Sequence, residues 1–484
     1  MKRKFFAGMV LFLCSIAFSF AQDDTKTNIE GLYRKTLDNG MQIFVMENNS
    51  APLAYVEIAV RAGAATQTPE NAGLFHLYEH LMFKGNAKYK SQQEFTEAMN
   101  RLGVGEWNGT TGVDRVNYFF TVPSSVVRDG MEFWSYAIRT PNIDEGELER
   151  EKGVVLSEIN GKFTNPSVIS SFFFMRKIFP ESPWRVDSSG DPKAVQNATV
   201  EQMKKIQSEF YVPDNAALFV GGDVKHEEIF KYAKEIFGDW KRSSKKAEFK
   251  APPSKKVSDK VVKLVFADKS MSDSFVSARY ALRGPDGETD SGDTYAADVW
   301  ATLVDEPGGV FTSTFTENKI LSIPDSDYVA AGYYTQRASG LVSFYSYMMN
   351  DGNPVEKSDE FVRVIENDLL EKMLDPSSGF LKGIKNAERK LEDSRIYQME
   401  TATGILSNLS SFFASCGADY FFNYDENISK VTESDVQGFL KKYVEGKNGV
   451  LLVTVSPSVF EKYKSDFLNG GFEEVTSDKA FWWR

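Results

Sequence analysis

The chain has 484 residues, of which 42% are hydrophobic and 26% charged, and its formal net charge is −12. This length is too great for one hydrophobic core, so two or more domains are expected, and the composition is ordinary for a soluble globular protein. The acidic balance argues against nucleic acid as a partner.

The first 21 residues predict a secretory signal peptide. Basic residues occupy 2–4, Phe5–Phe20 is almost wholly apolar, and Ser19–Ala21 has the small-x-small pattern of a cleavage site. We therefore expect export, to a bacterial periplasm, and no membrane span after cleavage, because the apolar run is too short and wrongly flanked for an anchor. Cleavage would change the net charge from −12 to about −15 and leave Cys416 as the single cysteine, which excludes an intrachain disulfide.

Alternating apolar and polar residues predict strands near the start of each half of the chain. Met41–Met46 and Ala54–Arg61 show this pattern, and Arg115–Val122 repeats it further along. Val261–Phe266 and Phe275–Leu282 show it in the second half. Helical patterns dominate between these strands without strict alternation of strand and helix, so the predicted fold class is α+β.

Two of the three histidines in the chain, His76 and His80, are four residues apart with Glu79 between them. On a helix, residues at i, i+3 and i+4 share one face. The two imidazoles would then point at one spot, as a metal requires, and the carboxylate would stand beside it as a base.

The surrounding residues predict that this helix is buried. Thr68 is expected to cap its N-terminus, Pro69 to occupy its first turn and Gly85 to end it. Apart from Glu79, His80 and Lys84, all residues between His76 and Gly85 are apolar or aromatic. Burying two imidazoles and a carboxylate without partners would be costly, and a bound cation removes that cost.

The order H-x-x-E-H marks the inverzincins. On this motif the chain resembles the pitrilysin, insulin-degrading-enzyme and mitochondrial-processing-peptidase family, in its zinc-carrying form. The resemblance implies a third zinc ligand roughly 75 to 80 residues downstream, where Glu158 follows His80 by 78 positions within Val-Val-Leu-Ser-Glu. It also makes Glu151 a carboxylate that orients the site, although a solvated helix charge is the alternative reading of that residue.

The activity implied by the resemblance is zinc-dependent hydrolysis of peptide bonds, with Glu79 activating a zinc-bound water. A purely structural zinc site would favour cysteine ligands. The segment Trp107–Thr111 resembles the family segment that pairs with extended substrate, so Asn108 and Gly109 are candidates for substrate binding. An ordinary Asn-Gly turn is the alternative.

Residues 246–260 are charged, contain two prolines and lack apolar periodicity, which predicts a linker. It separates a zinc-binding domain at 28–245 from a C-terminal domain at 261–484 without the zinc motif. A helix, a turn and an apolar strand surround both Tyr211 and Tyr443, 232 positions apart, which indicates an old duplication. The resemblance implies two homologous α+β domains arranged as one half of a clamshell.

The chain departs from the family in its second half. A complete family site borrows an Arg and a Tyr from there, but the matching stretch at 308–319 has no arginine, and Tyr328 matches the tyrosine. Some bacterial relatives divide these parts between two subunits. We therefore expect a homologous sister subunit in a heterodimer, or a homodimer, with peptides as substrates. A catalytically weak or inactive scaffold that binds peptides is the alternative.

Overall fold

The computed structural model describes residues 25–181, 185, 187–251, 257–338 and 340–480. The predicted signal peptide and residues 252–256 of the predicted linker lie outside this part. Two mixed six-stranded sheets with helices packed against them form the described chain, which confirms the predicted α+β class.

The first sheet has the strand order β1-β2-β6-β3-β5-β4. The pair β2 and β6 is parallel, and every other neighbouring pair in this sheet is antiparallel. Its strands are β1 (Leu32–Thr36), β2 (Gln42–Glu47), β3 (Leu53–Val60), β4 (Trp107–Thr111), β5 (Val116–Pro123) and β6 (Ala216–Gly222).

The second sheet repeats this arrangement, with the order β12-β7-β11-β8-β10-β9 and a parallel pair of β7 and β11, but its outermost strand β12 is also parallel to β7. Only the outermost strand beside the parallel pair differs, because β1 opens the first sheet whereas β12 closes the second. The shared order supports the predicted duplication. The strands are β7 (Val262–Ala267), β8 (Phe275–Arg283), β9 (Val329–Tyr334), β10 (Leu341–Met349), β11 (Val450–Val455) and β12 (Glu473–Glu474).

Helices fill the intervals between the strands. In the first half they are α1 (Leu74–Met82), α2 (Gln92–Arg101), α3 (Val127–Arg139), α4 (Glu145–Lys162), α5 (Pro166–Ile178), α6 (Pro192–Gln196), α7 (Val200–Phe210) and α8 (His226–Phe237). In the second half they are α9 (Ser291–Val304), α10 (Val310–Thr316), α11 (Pro354–Arg363), α12 (Leu370–Leu374), α13 (Ile384–Gln398), α14 (Ala402–Ser415), α15 (Ala418–Phe422), α16 (Tyr424–Ile428), α17 (Glu433–Tyr443), α18 (Pro457–Asn469) and α19 (Ser477–Ala480). Among the described helices, none combines the length and the apolar character needed to cross a membrane.

The helix α1 begins later than the sequence suggested. Thr68 lies in a turn, and the N-cap is Gly73, whose φ of 94° lies in the left-handed region. The Gly73 N–H donates to Oε1 of Gln67 at 2.7 Å, which satisfies a donor that no helical carbonyl can reach. A Cβ on Gly73 would lie 2.5 Å from the carbonyl oxygen of Ser189, so no larger residue fits there. The expected N-cap at Thr68 was therefore wrong.

Each half contributes a helix to the sheet of the other half. The helix α14 packs on β2, β3 and β6 of the first sheet, whereas α5 packs on β7, β8 and β11 of the second. Burying one face of each sheet therefore requires both halves of the chain. The domain boundaries at 245 and 261 stay predictions.

The contact of α14 with the first sheet includes a buried carboxylate. Glu57, on β3, is fully buried. Its Oε2 accepts a hydrogen bond from Tyr55 at 2.8 Å, and its Oε1 accepts one from Asn117 at 2.7 Å. Ser410, on α14, donates to the same Oε1 at 2.6 Å and accepts from Arg115 at 2.9 Å. One hydroxyl group therefore joins a helix of the second half to a charged pair of the first.

A second contact between the halves involves Asp114, in the turn between β4 and β5. Its Oδ2 accepts the backbone N–H of Arg337, which precedes β10, at 3.0 Å. Burial raises the pKa of Asp114 from its ordinary value of 3.8 to about 6, although the positive charges of Arg337 and Arg61 act in the opposite direction. Glu288, which pairs with the Arg337 guanidinium at 2.8 Å, raises that pKa further.

Replacing Ser410 with Ala should lower the free energy of unfolding by about 1–3 kcal/mol, because Glu57 and Arg115 each lose a buried partner. Urea denaturation measures this change. Ser411→Ala, on the exposed face of the same helix, is the matched control and should change stability by less than about 0.5 kcal/mol. An equal loss in both variants would show that the Ser410 hydroxyl does not hold α14 on the sheet.

The raised pKa of Asp114 predicts a pH dependence of stability. Between pH 3.8 and about 6 the folded chain keeps a proton that the unfolded chain has lost, so the contribution of Asp114 to stability falls as the pH rises through this window. The Tm of the protein minus that of Asp114→Asn should therefore decrease from pH 4 to 6 and then stay constant. Asp393→Asn, at an exposed position of α13, should show no such trend. A difference that grows with pH would contradict the prediction.

Candidate metal centre

Three donor side chains converge where α1 meets α4. Nε2 of His76 lies 3.7 Å from Oε2 of Glu158, and Nε2 of His80 lies 3.7 Å from Oε1 of the same carboxylate. One ligand atom from each residue lies within 4.8 Å of the others. These separations are too long for hydrogen bonds. They approach the roughly 3.4 Å between neighbouring ligands of a tetrahedral zinc ion with bonds of about 2.1 Å.

The long helix α4 brings two carboxylates to this site. Asp144 caps its N-terminus by accepting the backbone N–H of Glu147 at 3.0 Å. Glu151 and Glu158, seven residues apart, share the face of α4 that meets α1. Glu158 is half-exposed, with 45% of its side chain accessible, so the cluster is open to solvent on one side.

Glu151 contacts His80 on the buried side of the cluster. It is 4% exposed, which rules out the alternative of a solvated helix charge. Its Oε2 lies 3.1 Å from Nδ1 of His80, and its Oε1 pairs with the ammonium of Lys84 at 2.8 Å. A hydrogen bond to Nδ1 fixes the ring and leaves Nε2 free to bind a metal.

The electrostatics of the two imidazoles differ. Burial, together with the charges of His80 and Lys162, lowers the pKa of His76 to about 3, so its ring is neutral. Burial disfavours the protonated form of His80 as well, but the hydrogen bond that its ring donates to Glu151 and the charges of Glu158 and Glu79 raise its pKa overall.

The charges around the cluster fit a divalent cation. Among the described residues, the carboxylates of Glu79, Glu151 and Glu158 outnumber the ammonium groups of Lys84 and Lys162 by one. Nδ1 of His76 is buried and has no hydrogen-bond partner among the described residues. A metal on Nε2 would offset the cost of burying this ring, so the residues present fit zinc.

Glu79 lies beside the ligands and contacts the edge strand β4. It is 8% exposed, and burial raises its pKa although the Thr111 hydrogen bond opposes this. The Thr111 hydroxyl donates to its Oε2 at 2.7 Å. A Cβ on Gly109 would lie 3.0 Å from its Oε1 and 2.8 Å from the ring of Phe83. Thr111 therefore fixes Oε2 of this carboxylate, and the absence of a side chain at Gly109 leaves space for Oε1.

The substrate-binding candidates lie at different places. Asn108 and Gly109 belong to β4, paired with Phe119 and Tyr118 of β5, so they do not form a turn. Because β4 is the last strand of its sheet, its outer edge is free for pairing within the described chain. Tyr328 is in the second half, just before β9, and its ring stacks on Phe275 with centroids 5.7 Å apart.

Within the described residues, no hydrogen bond or ion pair joins Tyr328 to the metal ligands. The stretch 308–319, which lacks the expected arginine, forms α10 and its flanking turns and packs on α9 and α12. The structure therefore brings five of the predicted site residues to the cluster, places two beside it on β4, and leaves Tyr328 elsewhere.

A second acidic and histidine group occurs at the start of α8. Glu47, His226 and Glu227 place ligand atoms within 4.8 Å of one another. However, Glu47 accepts both the backbone N–H and the ring of His226, each at 2.8 Å, and also pairs with Lys225 at 3.1 Å. The ring stacks on Tyr33 with centroids 3.5 Å apart. These contacts account for the group as a helix cap, and the His226 side chain is only 14% exposed.

Two residues of the site were missed from the sequence. Lys84 follows His80 by four residues, which is the spacing of neighbours on a helix, although α1 itself ends at Met82. Thr111 lies two residues after Gly109, and alternate residues of a strand point to the same side. Neither spacing alone reveals that the partners are Glu151 and Glu79.

Comparisons with known proteins agree with this geometry. Profiles described as "Insulinase (Peptidase family M16)" and "Peptidase M16 inactive domain" match residues 43–172 and 197–387. Zinc protease PqqE of Helicobacter pylori is 28% identical over 214 residues, which cover 44% of this chain and 48% of that protein. The beta subunit of the mitochondrial-processing peptidase of Blastocladiella emersonii is 21% identical over 426 residues, covering 87% and 88%.

The solved structure of the periplasmic protease PqqL from Escherichia coli superposes with a TM-score of 0.69 at 15% identity, over 94% of this chain and 51% of that one. The chain thus has the fold of about half of that protein, which agrees with the predicted half of a clamshell. It also spans about half the length of the first relatives that it matches in sequence.

Replacing Glu151 with Gln should weaken zinc binding by about 10- to 100-fold, because the ring of His80 loses its charged support and Lys84 loses its partner. Competition with a chelating dye measures the dissociation constant. Glu149→Gln, an exposed change on the same helix, should leave it unaltered. Equal affinity in the Glu151 variant and the unaltered chain would exclude this supporting role.

Proposed function

Because this chain belongs to the peptidase M16 family, we propose that it is a zinc-dependent endopeptidase that hydrolyses peptides or unfolded segments. The observation that carries the proposal is the convergence of His76, His80 and Glu158 next to the carboxylate of Glu79. The helix α1 carries two of the metal ligands and also the base.

The proposed roles follow from the contacts. His76, His80 and Glu158 hold the metal, and Glu151 orients His80. A zinc ion bound there would lower the pKa of water and polarise the scissile carbonyl. Glu79 accepts the proton of the attacking water and returns it to the leaving amine.

Positioning of the base and of the substrate depends on β4. The Thr111 hydroxyl fixes Oε2 of Glu79 at 2.7 Å, which leaves Oε1 to accept the proton. An extended peptide pairs with the free edge of β4 through main-chain hydrogen bonds near Asn108 and Gly109. Such pairing tolerates many side chains, so the proposed substrates share an extended backbone rather than one sequence.

The chain acts together with a homologous subunit in this proposal. The segment 308–319 offers threonines and serines where the family places an arginine, and Tyr328 has no bond to the cluster among the described residues. One relative is itself named as a subunit of a processing peptidase. A sister chain in a heterodimer would supply the Arg and Tyr. A homodimer is the alternative assembly, and its active site would lack that Arg.

Export to a bacterial periplasm completes the proposal. The leader-like residues 1–21 support it, and the structurally similar PqqL is described as a periplasmic protease. The competing function is a catalytically inactive peptide-binding scaffold. The match of residues 197–387 to an inactive-domain profile favours this reading, whereas the complete set of metal-binding side chains favours the peptidase.

Glu79→Gln should abolish hydrolysis of a quenched fluorescent peptide while one zinc ion per chain remains bound, because the amide cannot accept the proton. The assay compares the chain alone with the chain mixed with a sister subunit that carries the Arg and Tyr. We expect little turnover alone, high turnover in the mixture, and loss of turnover with a chelator.

Glu132→Gln, an exposed change outside the cluster, is the control and should retain the activity of the mixture. Zinc binding without turnover in either preparation would support the scaffold, and full activity of the isolated chain would remove the need for a partner.

A further inference from the structure

A cleft of about 700 Å³ lies between α5 of the first half and the open part of the second sheet. It is distinct from the metal centre, because none of the metal-binding side chains lines it. Its walls are rich in hydroxyl groups, and include Ser171, Asp268, Ser277, Arg279, Tyr328 and Tyr345.

Among the described residues, Arg279 is the one basic side chain in the wall of this cleft. Its guanidinium lies over the ring of Phe174 at 4.3 Å and over that of Tyr345 at 5.2 Å. Its Nε is buried without a hydrogen-bond partner, and no carboxylate among the described residues forms an ion pair with it. Burial lowers the pKa of Arg279, although a hydrogen bond from the guanidinium to the Tyr345 hydroxyl acts in the opposite direction.

The duplicated fold shows how unusual this charge is. Glu57 on β3 pairs with Phe119 on β5, and Arg279 on β8 pairs with Tyr345 on β10 at the corresponding register. In the first sheet α14 covers the charged residue and Ser410 bonds to it. In the second sheet the corresponding charge faces a cleft instead. Leaving a desolvated guanidinium without a counter-charge is unfavourable, so the site is suited to an external anion.

We propose that this cleft binds a carboxylate group of a peptide, either at the C-terminus or on an acidic side chain. A guanidinium between aromatic rings suits a planar carboxylate, and the hydroxyls of Ser277 and Tyr345 can donate to the same group. Asp268, whose Oδ1 accepts two hydrogen bonds from Ser270, adds a negative charge to the wall. With one cation and one anion in the wall, a single negative charge fits better than the two of a phosphate.

The class of ligand rests on the proposed peptidase function, but the test is independent of hydrolysis. The full chain carrying Glu79→Gln, with chelator, is titrated with labelled eight-residue peptides, and binding is followed by fluorescence anisotropy. The peptides are a neutral one with a free C-terminal carboxylate, its C-terminal amide, and an amide that contains one Glu.

We expect the neutral amide to bind at least tenfold more weakly than the free acid. The Glu-containing amide distinguishes the two sources of the carboxylate. If it binds as tightly as the free acid, the cleft recognises any carboxylate. If it binds weakly, the cleft recognises the C-terminal carboxylate of the chain. The proposal is overturned if the neutral amide binds as tightly as the acid, or if inorganic phosphate displaces the peptide at equal concentration.

Arg279→Gln should weaken binding of the free acid at least tenfold. Lys269→Gln, which removes an exposed charge next to the cleft, should change it less than twofold. Ser277→Asp provides a second route, because the new carboxylate lies on the same strand face as Arg279, pairs with it and excludes the ligand. It should lose peptide binding and raise Tm. Unchanged binding in folded Arg279→Gln and Ser277→Asp would refute the site.

Discussion

The contact between α1 and α4 is the constraint on which the site depends. The helix α1 is almost wholly buried, yet it carries two imidazoles and a carboxylate on one side. Removing such groups from water costs several kcal/mol unless each finds a partner. The helix α4 supplies Glu151 to His80 and places Glu158 across both rings, whereas the partner of Glu79 is Thr111 on β4. Packing of α1 against α4 therefore also brings the side chains of the candidate metal centre together.

The structure of the metal centre also depends on the second half of the chain, because each half covers part of the other half's sheet with a helix. The first sheet cannot bury both faces with its own helices, since α14 covers the face that contains Glu57. The same sheet ends in β4, which holds Glu79 through Thr111. A loss of α14 would thus expose a charged residue in the middle of the sheet whose edge positions the base, and the second half contributes to the site without providing a ligand.

The sequence predicted the strands and the metal motif well, because both depend on local patterns. Alternation placed β3 and β8 to within about one residue, and helical spacing placed His76 next to His80. The start of α1 was missed because it depends on Gly73 in a left-handed conformation and on the side chain of Gln67, six residues earlier, which accepts the Gly73 N–H. Propensity at Thr68 favoured a cap that this tertiary contact overrides.

Features that join distant segments were beyond the sequence alone. Periodicity shows that α5 and α14 each have an apolar face, but it does not show which sheet each one covers. The charge of Arg279 looked ordinary in a strand with mixed residues, and only the register with Tyr345 and the open cleft distinguish it. The burial of Glu151 was also beyond the sequence, because it results from the packing of α1 on α4 and not from the residues next to it in the chain.

The two halves diverged in where they place positive charge. In the first half the ammonium of Lys84 is committed to Glu151, so it is not available to a developing oxyanion. In the second half the stretch 308–319 contains no arginine, and Arg279 lies on the sheet beside Tyr345. Stabilising a tetrahedral intermediate generally requires donors aimed at the oxyanion. Under the proposed function a bound metal would provide one such contact and a sister chain a second, which is the physical reason for proposing a two-subunit enzyme.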